Sequence, residues 1–139
     1  MLSSDRHPKV WVFACLFYGT LLAMLSLSKS LGIYDAELRA LARLMGGDKW
    51  FHFWSAGVLS FLVMAMMRSL WGQRKLVVIC CFSAASLGAA LVADELLQGL
   101  SSNRAVDVRD VLYGMFGVLS GIALYTSFDV LSKFFIPSE

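Results

Sequence analysis

The 139-residue chain is 58% hydrophobic and only 16% charged, with a formal net charge of +2. A soluble domain carries about a quarter charged residues, so this composition belongs to a small polytopic membrane protein. The charge is too small and too dispersed for a nucleic-acid binder, and no nucleic-acid partner is expected.

Four runs are long and apolar enough to cross about 30 Å of hydrocarbon as helices of about 20 residues. They are residues 10–27, 50–67, 76–93 and 111–128. Pro8 and Pro137 fall outside all four, so no span carries a proline break. Arg6 and Lys9 precede the first run as they would in a signal peptide. That run is long for a cleaved apolar segment, however, and three more spans follow, so it reads as a span. Cys15 lies in the first span, and Cys80 and Cys81 are neighbours in the third. None has metal-ligand spacing, and they read as small apolar fillers.

Between the first two spans, Leu38, Leu41, Leu44 and Met45 recur at helical spacing, with Glu37, Arg39 and Arg43 on other faces. This pattern predicts a short amphipathic helix lying in the membrane interface, begun by an Asp35 cap and ended by Gly46-Gly47. A helix that gates access to a site is the sharper reading of the same segment. The expected fold is thus all-α, one transmembrane domain over residues 1–139, with four spans and an interfacial helix between the first and second.

The two sides of the membrane receive equal numbers of Lys and Arg. Arg68, Arg74 and Lys75 crowd a short, purely basic second loop, whereas Lys29, Arg39, Arg43, Lys49, Arg104 and Arg109 are mixed with acids. The positive-inside rule therefore favours both termini in the cytoplasm.

Polar residues gather at particular span ends. Lys49 to Arg68, Lys75 to Asp94 and Asp110 to Asp129 are each 19 residues apart, roughly 28 Å of helix and close to one bilayer thickness. Three clusters therefore share one membrane face: Asp48, Lys49 and His52; Asp94, Glu95 and Gln98; Arg104, Asp107 and Asp110. With cytoplasmic termini, it is the outer face.

Asp48 and His52 are i, i+4, as are Asp94 and Gln98. Asp110, Gly114, Gly117 and Gly121 follow one face of the fourth span, and Gly117 and Gly121 make a small-xxx-small motif. Ser83, Ala84, Ala85, Ser86, Gly88, Ala89 and Ala90 of the third span offer a complementary small surface. The expectation is that the third and fourth spans pack tightly, with Asp110 turned into the bundle and Glu95 near it.

Charges at the edge of a hydrocarbon core are costly, and they pair with one another or serve a function. As a network, these residues would simply hold helix ends together. As a site, Arg104 and Lys49 suit phosphate or carboxylate. His52 with Glu95 or Asp110 then supplies an acid/base pair, with Asp48, Asp94, Gln98 and Asp107 binding and orienting the ligand. A metal held by His52 and carboxylates is chemically open. Without H-E-x-x-H spacing, and with Lys49 and Arg104 to neutralise the same acids, no metal and no cofactor are expected. The span middles carry no charged side chain, which argues against ion-coupled transport.

The strings D-K-W-F-H-F at 48–53, D-E-L-L-Q at 94–98 and R-A-V-D-V-R-D-V-L-Y-G-M-F-G at 104–117, in this order, resemble the VanZ-like family of bacterial membrane proteins. The family often has Asn where Gly114 stands here. The resemblance implies an inner-membrane protein. The name-giving member contributes to resistance to teicoplanin, a glycopeptide that acts on cell-wall precursors outside the membrane. The expected partner is therefore an anionic envelope lipid or a lipid-linked cell-wall precursor, with hydrolase or transferase chemistry at the outer face. A non-catalytic scaffold or partner subunit is the alternative.

Overall fold

The computed structural model describes residues 8–100 and 106–135. They form five helices: α1 (Pro8–Ser30), α2 (Asp35–Leu44), α3 (Asp48–Leu70), α4 (Leu76–Gly99) and α5 (Val108–Phe135). Four are long and apolar enough to cross a membrane: α1, α3, α4 and the Val108–Ser132 part of α5. The protein is an all-helical, multi-pass membrane protein.

The helices run past the expected spans at their ends, because a helix satisfies its own backbone and need not stop where the hydrocarbon does. Pro8, expected outside the first span, is instead the first residue of α1. Its missing N–H costs nothing there, since the first turn has no intrahelical acceptor for it.

The bundle is inverted relative to a soluble core. Phe13, Leu16, Phe17, Phe116, Leu124 and Phe128 are exposed, while Ser55, Ser60, Ser83, Glu95, Gln98, Asp110 and Asp129 are buried. Lipid solvates apolar side chains as well as another helix does, so small and polar groups gain most from turning inward.

α3 and α5 form the most extensive helix pair. A Cβ at Gly117 would overlap the Phe53 carbonyl oxygen, and one at Gly121 would overlap that of Gly57. Ser60 Oγ donates 2.8 Å to the Val118 carbonyl across the same seam. This corrects the expected partner of the glycine row, which is the second span and not the third. Ala85, Ser86 and Ala89 of α4 are exposed, so much of its small-residue surface faces away from α5. α4 meets α5 through larger groups: Leu91 covers Gly114 and Met115 covers Gly88.

Far from the polar face, Met64, Ala65, Ile79 and Tyr125 form an apolar core. Arg68 and Asp129 pair at that same end.

α2 is strongly amphipathic, unlike the spans, and none of its residues is fully buried. Its start departs from expectation. Tyr34, at φ 57°, takes the cap position without a side-chain cap, while Asp35 is the first helical residue and pairs with Arg39 one turn on. Its end is as expected. Gly47 N–H donates to Ala42 O (2.8 Å) and Gly46 N–H to Arg43 O (3.1 Å), with both glycines at positive φ, which is a Schellman closure.

Candidate functional site

The ends of α1, α3, α4 and α5 meet at one face. The first turn of α3 presents Asp48, Lys49 and His52. The close α3–α5 seam brings Asp110, only 4% exposed, alongside them. Lys49 Nζ lies 2.8 Å from Asp107 Oδ2 and 3.3 Å from Asp110 Oδ1. His52 Nε2 lies 3.6 Å from Asp110 Oδ2, too long for a hydrogen bond but adjacent.

Asp107 caps α5: its Oδ1 accepts the Arg109 backbone N–H at 2.9 Å, while its own N–H donates to Glu95 Oε1 at 2.6 Å. Asp107 thus lies between Glu95 and Lys49. The Lys49 ammonium, then the Arg109 N–H, hold the Asp107 carboxyl below its ordinary range. Glu95 and Asp110 are both buried and share Asp107 as a neighbour.

A second knot ties α1 to α4. Ser26 Oγ donates to Asp94 Oδ1 at 2.7 Å, and Gln98 Nε2 donates to Ser26 Oγ (3.0 Å) and Asp94 Oδ2 (2.6 Å). Lys29, three residues beyond Ser26, pairs with Asp48. Asp48 therefore joins the two knots.

Between them opens a cavity of about 240 Å³ bounded by α1 to α4, with Val118 of α5 at its wall. Lys29, Asp48, His52, Asp94 and Gln98 line its polar end, and Leu22, Leu59, Leu87 and Leu91 its apolar walls. Leu38 and Ala42 of α2 close over it.

Eight of the expected site residues thus gather at one face: Asp48, Lys49, His52, Asp94, Glu95, Gln98, Asp107 and Asp110. The ninth, Arg104, lies outside the described residues. The sequence reading missed Ser26 and Lys29. A signal for Lys29 exists in the sequence, because Lys9 to Lys29 is also a bilayer-length interval.

Lys49, expected to hold an anion, is engaged by two carboxylates. Among the described residues, Lys29 and Lys49 face five acids: Asp48, Asp94, Glu95, Asp107 and Asp110. With Arg109 beside Asp107 as a third cation, the formal balance of these described residues is acidic.

Comparison with curated proteins and with solved structures gives no match. The VanZ/LLP1 family model matches residues 10–131, which takes in all four spans, α2 and every site residue described above. The chain belongs to the VanZ/LLP1 family.

Proposed function

We propose that the protein engages an amphiphile at the outer face of the bacterial inner membrane, with both termini in the cytoplasm. The ligand is an anionic envelope lipid or a lipid-linked cell-wall precursor. One observation carries this reading: the cavity joins a polar end at Lys29, Asp48, His52, Asp94 and Gln98 to leucine walls within the membrane-crossing helices. Ligand sites are concave and largely apolar, with a few convergent polar groups. Here the polar groups suit a headgroup and the apolar walls suit a hydrocarbon chain. His52 beside Asp110, with Glu95 behind Asp107, supplies acid/base capacity for hydrolysis or transfer at the headgroup. Action on a cell-wall precursor would connect the protein to glycopeptide resistance.

Native mass spectrometry of the gently purified protein tests this. A bound phosphorylated lipid is expected, and its loss in Arg104→Ala would assign Arg104 to the headgroup. Delipidated protein that takes up no such lipid sinks the reading. A reporter at the carboxyl terminus tests orientation, and an outward terminus moves the site to the cytoplasmic face.

A scaffold is the second reading, favoured by the pairing of Lys29, Lys49, Asp94, Glu95, Asp107 and Gln98 within the protein. His52→Ala and Glu95→Gln discriminate. If both variants fold and retain full activity in an envelope-stress or drug-sensitivity assay, the site is not catalytic.

A further inference from the structure

An acidic site is a poor host for an anionic headgroup. We propose that Asp48, His52 and Asp110 together hold a divalent transition-metal ion, which reverses the local charge and presents open coordination positions to the cavity. The consequence for the headgroup rests on the function proposed above; the ion site does not.

The geometry comes from two helices. Asp48 and His52 lie one turn apart on α3, and Asp110 reaches them from α5 across the glycine seam. One ligand atom from each, two carboxylate oxygens and one imidazole nitrogen, lies within 4.8 Å of the other two. Metal–ligand distances of about 2.0–2.2 Å put neighbouring ligands of a tetrahedral ion about 3.3–3.6 Å apart. His52 Nε2 and Asp110 Oδ2 already stand 3.6 Å apart. Asp48, paired with Lys29, supplies the third ligand atom within the same 4.8 Å.

A second feature of the same cluster is the carboxyl of Asp110, whose side chain is 5% exposed. Its Oδ1 takes the Lys49 contact, while Oδ2 receives no hydrogen bond among the described residues and points at His52. That oxygen is not sealed off, so a shared cation can reach it together with the imidazole nitrogen. Lys29 on Asp48 and Lys49 on Asp110 occupy the positions of outer partners, which orient ligating carboxylates.

Among the described residues, Lys29, Lys49 and Arg109 leave the five acids in excess, so the cluster retains negative charge to attract a dication. One imidazole with two carboxylates suits Zn²⁺ or Mn²⁺ better than Ca²⁺ or Mg²⁺, which favour all-oxygen shells. Asp48 and His52 both line the cavity, so an oxygen of a phosphorylated headgroup can complete the ion's shell from there.

The test uses full-length protein, purified in detergent and stripped with chelator. Titration with Mn²⁺ or Zn²⁺ should show one saturable ion per chain and a raised thermal midpoint. Mn²⁺ spin resonance should carry an imidazole-nitrogen coupling that vanishes in His52→Ala. Affinity should fall by at least the roughly 10- to 100-fold known for outer partners in His52→Ala and in Asp48→Asn, with the thermal midpoint of each metal-free variant checking that it folds. Absence of a bound ion, or an affinity in both variants equal to that of the parent protein, overturns the proposal. Binding of short-chain phosphatidylglycerol is then measured with and without Mn²⁺, against phosphatidylcholine. Ion binding without lipid binding supports the ion site and sinks the lipid reading. Lipid binding that ignores the ion preserves the lipid reading and overturns the ion's role in it.

Discussion

Gly117 of α5 lies against Phe53 of α3 so closely that any Cβ at position 117 would overlap the Phe53 carbonyl oxygen. About one turn on, a Cβ at Gly121 would overlap the Gly57 carbonyl oxygen and stand 2.9 Å from Ser60 Cβ. The obstructing atoms are mostly backbone and cannot rotate aside. This seam determines how near Asp110, two turns before Gly117, comes to Lys49 and His52 on the facing helix.

Gly117→Ala and Gly121→Ala should therefore each destabilise the bundle by about 1–3 kcal/mol and push Asp110 away from His52. Gly72→Ala, whose Cβ would sit 3.5 Å from the Arg68 carbonyl oxygen, should be close to neutral. Unfolding in mixed micelles measures all three. A Gly117→Ala protein as stable as the parent would mean that the seam is looser than described.

The spans and the shared polar face are legible because hydrocarbon thickness sets helix length, and charges 19 residues apart mark its two edges. The partner of the glycine row is not legible in the same way. Spacing says that Gly117 and Gly121 share a face, but not which neighbour that face meets. The alanines and serines of α4 look complementary on paper, yet Ala85, Ser86 and Ala89 are exposed. Lys29 is not legible as a site residue, because a lysine ending a span reads as an ordinary interfacial anchor until Asp48 is seen beside it. Lys49 was read as a free cation for a ligand because sequence does not show that Asp107 and Asp110 both converge on it.

At the opposite end of the α3–α5 pair, Arg68 Nε lies 3.6 Å from Asp129 Oδ1, with side chains 13% and 10% exposed. The offset between the two residues is the same 61 as for Lys49 and Asp110, so one register satisfies both ends. Asp129→Ala should cost about 3 kcal/mol, since it leaves a guanidinium buried beside the missing carboxylate. Arg68→Met with Asp129→Leu should recover much of that loss. Thermal midpoints of the two proteins decide the matter: a double variant no more stable than Asp129→Ala would show that a guanidinium without the Asp129 carboxylate is not what costs stability.

Asp107 has a definite acid dependence. Lys49 and the Arg109 N–H lower its carboxyl from the ordinary 3.8 in the folded protein. A depressed folded-state value adds stability above the unfolded value, and that stability is lost as pH falls through the folded one. The contribution is therefore complete at neutral pH and fades from about pH 5 downward. Asp107→Asn, which still caps α5, should flatten that part of the stability–pH curve. Curves that stay parallel between pH 6 and the acid limit would remove Asp107 from the acid response.

Gly47 joins α2 to the site. Its φ of 111° and ψ of 172° lie in a region essentially reserved for glycine, where another residue costs about 1–3 kcal/mol. A Cβ at Gly47 meets nothing within 4 Å, so Gly47→Ala tests backbone strain without a clash. The cheapest relief is for the chain to leave this conformation, which breaks the Gly47 N–H bond to Ala42 and tilts α2 away from the cavity it covers. Asp48 and Lys49 follow Gly47 directly, so the same relaxation reaches the site from its α3 side. Gly47→Ala should lower the thermal midpoint and speed hydrogen exchange in α2, leaving the Met64–Tyr125 end of the bundle unchanged. Exchange that rises equally at both ends would show that α2 is not a separately opening cover.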